Sequence, residues 1–180
     1  MNEIKILDKV FKLYISYNEI KKRIKKLALQ IETDYGDKDP IFISILNGSF
    51  MFAAELFKNL NIPCNITFVK LASYQGTQSS GKIKELVGFN EQIEGRTVIV
   101  IEDIVDTGNT IIDIVKDLES KNPKEIVICT LLLKPEAYNN SFPIKYRCFE
   151  IPNDFIVGFG LDYNSYGRNF KDIYVISNQK

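Results

Sequence analysis

The chain contains no histidine. That removes Ser-His and Cys-His nucleophilic pairs and every His-ligated zinc site. Chemistry near neutral pH is left to carboxylates, lysine, tyrosine, hydroxyls, backbone dipoles or an oxygen-ligated cation, and carboxylates suit Mg²⁺ best. Neither sign of charge is in excess: 23 Lys and Arg balance 23 Asp and Glu, so no global field points to a nucleic-acid or membrane partner. The densest basic run, KKRIKK at 21–26, falls on a helical pattern and reads as a solvated helix face. Cysteine is scarce and unpaired in pattern. Cys64, Cys129 and Cys148 are odd in number, widely spaced and without a C-x-x-C, and two lie in apolar runs, which predicts buried, reduced thiols. No run of 18 apolar residues and no N-terminal apolar leader occurs, so the expectation is a soluble cytoplasmic protein. Repeats, low-complexity tracts and linkers are also missing. With 180 residues, 45% of them hydrophobic, the chain reads as one domain, 1–180, with a substantial core.

What is present alternates between short apolar strands and amphipathic helices. The first 15 residues alternate loosely, as one strand would. SYNE at 16–19 has the form of a capping box, Ser16 as N-cap and Glu19 three residues on. Ile20, Ile24, Leu27, Ala28 and Ile31 then mark one apolar helix stripe. Strands are predicted at 41–46, 64–74, 97–102, 125–133, 155–161 and 173–177, with a possible return strand within 82–90. Helices are predicted at 50–60 and 109–120, the second turning Ile111, Ile112, Ile114, Val115 and Leu118 inward. The polar, Gly/Ser-rich stretch 75–81 reads as a mobile loop. The pattern is that of an α/β fold with a largely parallel central sheet flanked by helices. Such folds bind ligands at the carboxyl ends of their strands.

The strand end at 98–110, VIVIEDIVDTGNT, is the richest in chemistry. Glu102 and Asp103 are adjacent carboxylates that repel one another unless a cation or hydrogen-bond donors meet them. A ribose diol or Mg²⁺ would do so. Asp106, Thr107, Gly108, Asn109 and Thr110 follow at the predicted start of a helix, where unpaired N–H groups and the positive end of the dipole attract anions. Gly108 permits close backbone approach, and the threonines add donors. The loop is neither G-x-x-x-x-G-K-[ST] nor G-x-G-x-x-G. Asp106 or Thr107 could also serve merely as an N-cap. Elsewhere the alternatives stay open. Lys134 can be a strand-end lysine with its head in water, Phe155 a core residue, Asp162 a turn cap and Arg168 a surface arginine.

VIVIEDIVDTGNT resembles the 5-phosphoribosyl-1-pyrophosphate (PRPP) motif of type I phosphoribosyltransferases. ILNGSFMFAAEL (45–56), VKLASYQGTQSSGKIK (69–84), LLLKPE (131–136) and IPNDFIVGFGLDYNSYGRNF (151–170) are similar, in that order, to hypoxanthine(-guanine) phosphoribosyltransferases. The resemblance covers most of residues 5–178. It implies the type I phosphoribosyltransferase fold, with a small hood built from the N- and C-terminal segments, and a Mg²⁺-dependent transfer of 5-phosphoribose from PRPP to N9 of hypoxanthine or guanine. The products would be IMP or GMP and pyrophosphate, formed by a homodimer or homotetramer in purine salvage.

The same resemblance gives the residues their roles. Residues 107–110 would hold the 5-phosphate. Glu102 and Asp103 would meet the ribose hydroxyls directly or through the metal. Asp106 would act as general base at the purine N7. Leu46, Asn47 and Gly48 would form the pyrophosphate loop with a cis Leu46–Asn47 peptide, joined by Arg168. Lys134 would donate to the purine O6, Phe155 would stack on the base, Ile156 would offer backbone groups to the base edge, and Asp162 would anchor a second metal. Ser73 and Tyr74 would open a loop, 73–83, that closes over the reaction. Many members of the family carry Lys or Arg where this chain has Asn47, so one cationic contact is missing from that loop.

Overall fold

The computed structural model describes residues 2–72, 84–87 and 91–177. The N-terminal segment, expected as one strand, is an antiparallel hairpin of β1 (Glu3–Ile6) and β2 (Lys9–Ile15). The chain reverses at Leu7, which takes a φ of 53°, a conformation no strand residue adopts. Ser16 then starts α1 (Tyr17–Tyr35) through the capping box read in SYNE. Its hydroxyl accepts from the Glu19 N–H, and the Glu19 carboxylate accepts from the Ser16 N–H at 3.0 Å. The stripe from Ile20 to Ile31 is buried along its length.

The remaining elements are β3 (Ile41–Leu46), α2 (Phe50–Phe57), β4 (Asn65–Ala72), β5 (Lys84–Val87), β6 (Thr97–Val105), α3 (Asn109–Glu119), β7 (Glu125–Leu133), β8 (Ile144–Glu150), β9 (Ile156–Val157) and β10 (Ile173–Ile176). They build a six-stranded sheet in the order β5-β4-β3-β6-β7-β8, parallel except for β5. A second, antiparallel sheet, β1-β2-β10-β9, joins the two ends of the chain as a hood.

The central strands read as unbroken apolar runs because both sheet faces are covered. Along β6, Val98 and Val100 pack against Ile111, Ile114 and Leu118 of α3. Ile99 and Ile101 point the other way, into the core formed with α1 and α2. Ile112, expected inward, is only half-buried. The α1–α2 core continues through Ile156, Phe159 and Ile173 into the hood, so the hood is fastened to the sheet by the same apolar packing.

Two other expectations change. The stretch 155–161 pairs as a strand only at Ile156–Val157. Gly158 and Gly160 take φ values of 97° and 102° and turn the chain back towards the sheet. Strand β8, where the sequence showed only mixed IKYRCFE, forms the sheet edge beside β7. No helix among the described residues is long and apolar enough to cross a membrane.

Candidate functional site

Parallel register assembles the site. Val105 of β6 lies opposite Leu133 of β7, and the Lys134 N–H donates to the Val105 carbonyl at 2.9 Å. The next side chains, Asp106 and Lys134, therefore leave adjacent strand ends together, and Lys134 Nζ donates to Asp106 Oδ2 at 2.8 Å. The lysine side chain is only 11% exposed and the aspartate 47%. A buried ammonium needs such a partner, so the strand-end lysine is drawn inward rather than out to water.

Beyond Asp106 the chain bends through Gly108, at φ 90°, and enters α3 with no side chain capping the helix. Neither Asp106 nor Thr107 serves as N-cap. Thr107, Asn109 and Thr110 are exposed there, and the first turn presents its N–H groups and positive dipole end to the cavity. That is the arrangement of a phosphate cradle.

Glu102 is 6% exposed and accepts a hydrogen bond from the Asp103 N–H at 3.2 Å, while Asp103 accepts from the Ile104 N–H at 2.9 Å. Burial, then the neighbouring Asp103 carboxylate, push the Glu102 carboxyl well above the usual range. No Lys or Arg among the described residues forms an ion pair with either carboxylate. A buried carboxylate beside a second one, without a cationic partner, is an oxygen donor set that fits a hard divalent cation.

This environment carries a stability prediction. A carboxyl raised in the folded state contributes stability below the ordinary carboxylate range and loses it as pH rises through the folded value. Between the ordinary carboxylate value and the raised one, each rise in pH therefore weakens folding. Glu102→Gln is expected to raise the melting temperature of the ligand-free protein by roughly 2–4 °C for each 1 kcal/mol relieved and to flatten its dependence on pH. A lower melting temperature in calorimetry would contradict this.

The turn 46–49 closes the opposite side. Its Leu46–Asn47 peptide is cis. Ser49 ties it from within, donating to the Ile45 carbonyl at 2.5 Å and meeting the Ser44 hydroxyl at 2.7 Å. Gly48 lies directly on Asp103; a Cβ there would fall 1.5 Å from Asp103 Oδ2. Gly160 of the hood lies in turn on Gly48, where a Cβ would fall 2.0 Å from the Gly48 carbonyl oxygen. Only glycines allow the hood, the turn and the acidic strand end to stack this closely.

Arg168 reaches across from the hood loop. It forms an ion pair with Asp162 at 2.6 Å and donates to the Gly160 carbonyl at 2.7 Å. Asp162 also accepts from the Ser165 N–H at 2.7 Å, so it caps the local turn as well as facing the cavity.

The resulting cavity has a volume of about 550 Å³ and is lined by Ile45, Leu46, Gly48, residues 102–111, Asp113, Asp162 and Arg168. The acidic pair, residues 107–110, Asp106, the turn at 46–48 and the Asp162–Arg168 pair are thus brought together, with Lys134 attached through Asp106. Other candidates stand apart. The Asn47 side chain is exposed. Phe155 is 46% exposed and packs against Phe11 and Tyr163 in the hood, at ring separations of 6.3 and 5.9 Å. Ile156 sits in β9 opposite Val175. Ser73 and Tyr74 lie outside the described residues. Among the described residues no three carboxylates or thiols converge on one point.

Two features of the site escaped sequence reasoning. The contact of Gly160 on Gly48 was hinted at by the glycine spacing in GFG. The contact of Tyr138 on Gly108 had no local signal.

An uncapped helix N-terminus and a buried acidic pair thus line one cavity, with Lys134 held beside it by Asp106. The chain matches the phosphoribosyl transferase domain over residues 16–164, which sets its class. It is 40% identical over 169 residues to the hypoxanthine-guanine phosphoribosyltransferase of Streptococcus pyogenes, covering 93% of this chain and 94% of that protein. Against the Aquifex aeolicus protein of the same name the identity is 37% over 178 residues, covering 98% and 99%. A Bacillus anthracis hypoxanthine-guanine phosphoribosyltransferase crystal structure superposes with a TM-score of 0.85 at 36% identity, covering 97% of this chain and 98% of that one. The chain belongs to the hypoxanthine-guanine phosphoribosyltransferase family.

Proposed function

We propose that the protein transfers 5-phosphoribose from PRPP to N9 of hypoxanthine and guanine, yielding IMP or GMP and pyrophosphate, as a cytoplasmic purine salvage enzyme. The observation that carries this reading is the Asp106–Lys134 pair, one residue beyond two adjacent parallel strands and flanked by an uncapped helix N-terminus. In that position the two side chains suit a base that carries a ring N–H and a 6-oxo group side by side. Lys134 Nζ donates to the oxo oxygen, and Asp106 accepts the proton that a neutral purine loses as the glycosidic bond forms. Their mutual contact opens to admit the base, with each partner exchanging one charged contact for one to substrate.

Residues 107–110 hold the 5-phosphate with N–H groups and hydroxyls. Asp103 and Glu102 orient the ribose. Positive charge developing on the ribose is stabilised by Asp106 on the same loop. The Leu46–Gly48 turn and Arg168 receive the departing pyrophosphate; Arg168 must leave Asp162 to do so. Phe155 offers its exposed ring to the face of the base, held by a tilted contact with Phe11 and an edge-on contact with Tyr163, and Ile156 lends backbone groups at the base edge. Ser73 and Tyr74 begin the covering loop. Bound Mg²⁺ would supply charge neutralisation of the pyrophosphate and ribose oxygens, held by Glu102 and Asp103 and, once Arg168 releases it, by Asp162. The working form is a homodimer or homotetramer.

The test is to incubate the protein with PRPP, Mg²⁺ and each of hypoxanthine, guanine, xanthine and adenine, and to measure nucleotide and pyrophosphate. Product with 6-oxopurines and not with adenine is the expected result. PRPP binding without product from any base would replace the enzyme with a nucleotide-sensing protein. Removing Mg²⁺ with EDTA is expected to abolish turnover, restored by adding the ion back; persistence of activity would remove the metal from the acidic pair.

A further inference from the structure

The segment that follows Lys134 runs directly behind the phosphate loop. Tyr138 is 7% exposed and belongs to the α3-side core. Its backbone N–H donates to the Lys134 carbonyl at 3.0 Å, and the Asn139 N–H donates to the Thr107 carbonyl at 3.4 Å. One edge of the ring abuts Gly108: a Cβ on that glycine would fall 2.4 Å from Tyr138 Cε2 and 2.8 Å from Cδ2. The far end of the ring is pinned as well. The Tyr138 hydroxyl donates to the Phe142 carbonyl and accepts from the Phe142 N–H at 3.0 Å. Both ends of the side chain are thus fixed to backbone, and the Cδ2–Cε2 edge of its ring fills the space where Gly108 has no side chain.

From this we infer that Tyr138 is a positioning residue for PRPP. It is a strut that holds Gly108 at its positive φ, keeps the N–H groups of 107–110 directed into the cavity, and ties the phosphate loop to the strand end that carries Lys134. The ring does the bracing; the hydroxyl anchors the ring. Tyr138 shares its core with Ile111, Ile114 and Leu118 of α3, so the melting temperature is read beside the kinetics. The inference rests on the reading of 107–110 as the phosphate loop.

Initial rates over varied PRPP and varied hypoxanthine test it, with melting temperatures recorded alongside. Tyr138→Ala is expected to raise the KM for PRPP about 10–100-fold, the scale on which small misplacements of binding groups act. The KM for hypoxanthine and the kcat at saturating PRPP should stay within about threefold, and Tyr138→Phe, which keeps the ring and loses only the two hydroxyl contacts to Phe142, should stay within about threefold of wild type in all three, with the loss read in the melting temperature. Thr110→Ala separates the two claims. If it leaves the KM for PRPP unchanged, the phosphate-loop reading itself fails. If it raises that KM while a folded Tyr138→Ala does not, the strut alone is overturned. An equal rise in both Michaelis constants would also overturn it.

Should Tyr138→Ala not fold, Tyr138→Leu combined with Gly108→Ala decides the matter. Contact between ring and glycine makes the double variant less impaired than the product of the single effects, whereas independent effects would show that the ring does not act on Gly108.

Discussion

Asp106→Asn is expected to lower turnover with hypoxanthine by about 10²–10⁴-fold, the contribution of a positioned general base, with PRPP affinity changed only a few-fold. The substitution keeps the shape of the side chain and removes its ability to take a proton. It touches none of the N–H groups of α3 that would hold the 5-phosphate, because the helix begins after Gly108 and takes no cap from Asp106. It does remove the counter-charge of Lys134, whose Nζ lies 2.8 Å away. A fall in melting temperature is therefore expected together with the loss of rate. Rapid-quench turnover and calorimetric titration of PRPP separate the two effects. Equal losses in rate and in PRPP affinity would place Asp106 in the architecture of the loop and leave the proton without an acceptor.

How much of this was legible in the sequence depends on the range of the interaction concerned. Local signals were read correctly, except that β6 runs past its expected end at 102 to Val105 and takes Asp103 into the strand. The capping box at Ser16, the stripe along α1, the acidic strand end and the glycine-bent helix start all depend on residues within a turn of one another. The site pairs do not. Asp106 and Lys134 are 28 residues apart, and only the parallel register of β6 with β7 makes them neighbours. Arg168 meets Asp162 because the chain reverses between them through Asn164 and Ser165, both at positive φ, with Tyr163 paired to Tyr166, and Gly158 and Gly160 broke what read as a continuous strand at 155–161. Strand β8 was missed for a different reason. It is a sheet edge whose side chains alternate between buried Tyr146 and Cys148 and exposed Lys145 and Arg147, so it lacks the unbroken apolar run that marked its neighbours. The resemblance to a family supplied roles for residues that physical reasoning alone left open, notably Phe155 and Ile156. It could not supply the resting contacts, in which Lys134 is bound to Asp106 and Arg168 to Asp162.

Those resting contacts sharpen the expectation for Lys134→Ala. Losing one charged hydrogen bond to substrate, roughly 1.5–3 kcal/mol, lowers kcat/KM for hypoxanthine by about 10–100-fold. The rate with adenine should fall much less. An ammonium can donate to a 6-oxo group but faces like polarity at a 6-amino group, so its removal deletes the favourable contact for one base and the adverse one for the other. Discrimination between the two bases therefore shrinks from both sides. Stability should respond in the opposite order to a simple pair deletion. Asp106 keeps access to water, being 47% exposed, whereas Lys134 is 11% exposed. Lys134→Ala then leaves a hydrated carboxylate, while Asp106→Ala leaves a buried ammonium with no counter-charge, the more costly remainder. The expected melting temperatures are wild type highest, Lys134→Ala intermediate and Asp106→Ala lowest. Unchanged selectivity in the lysine variant would remove Lys134 from the base pocket, and a reversed order of melting temperatures would show that the pair is solvated as a unit rather than buried at its cationic end.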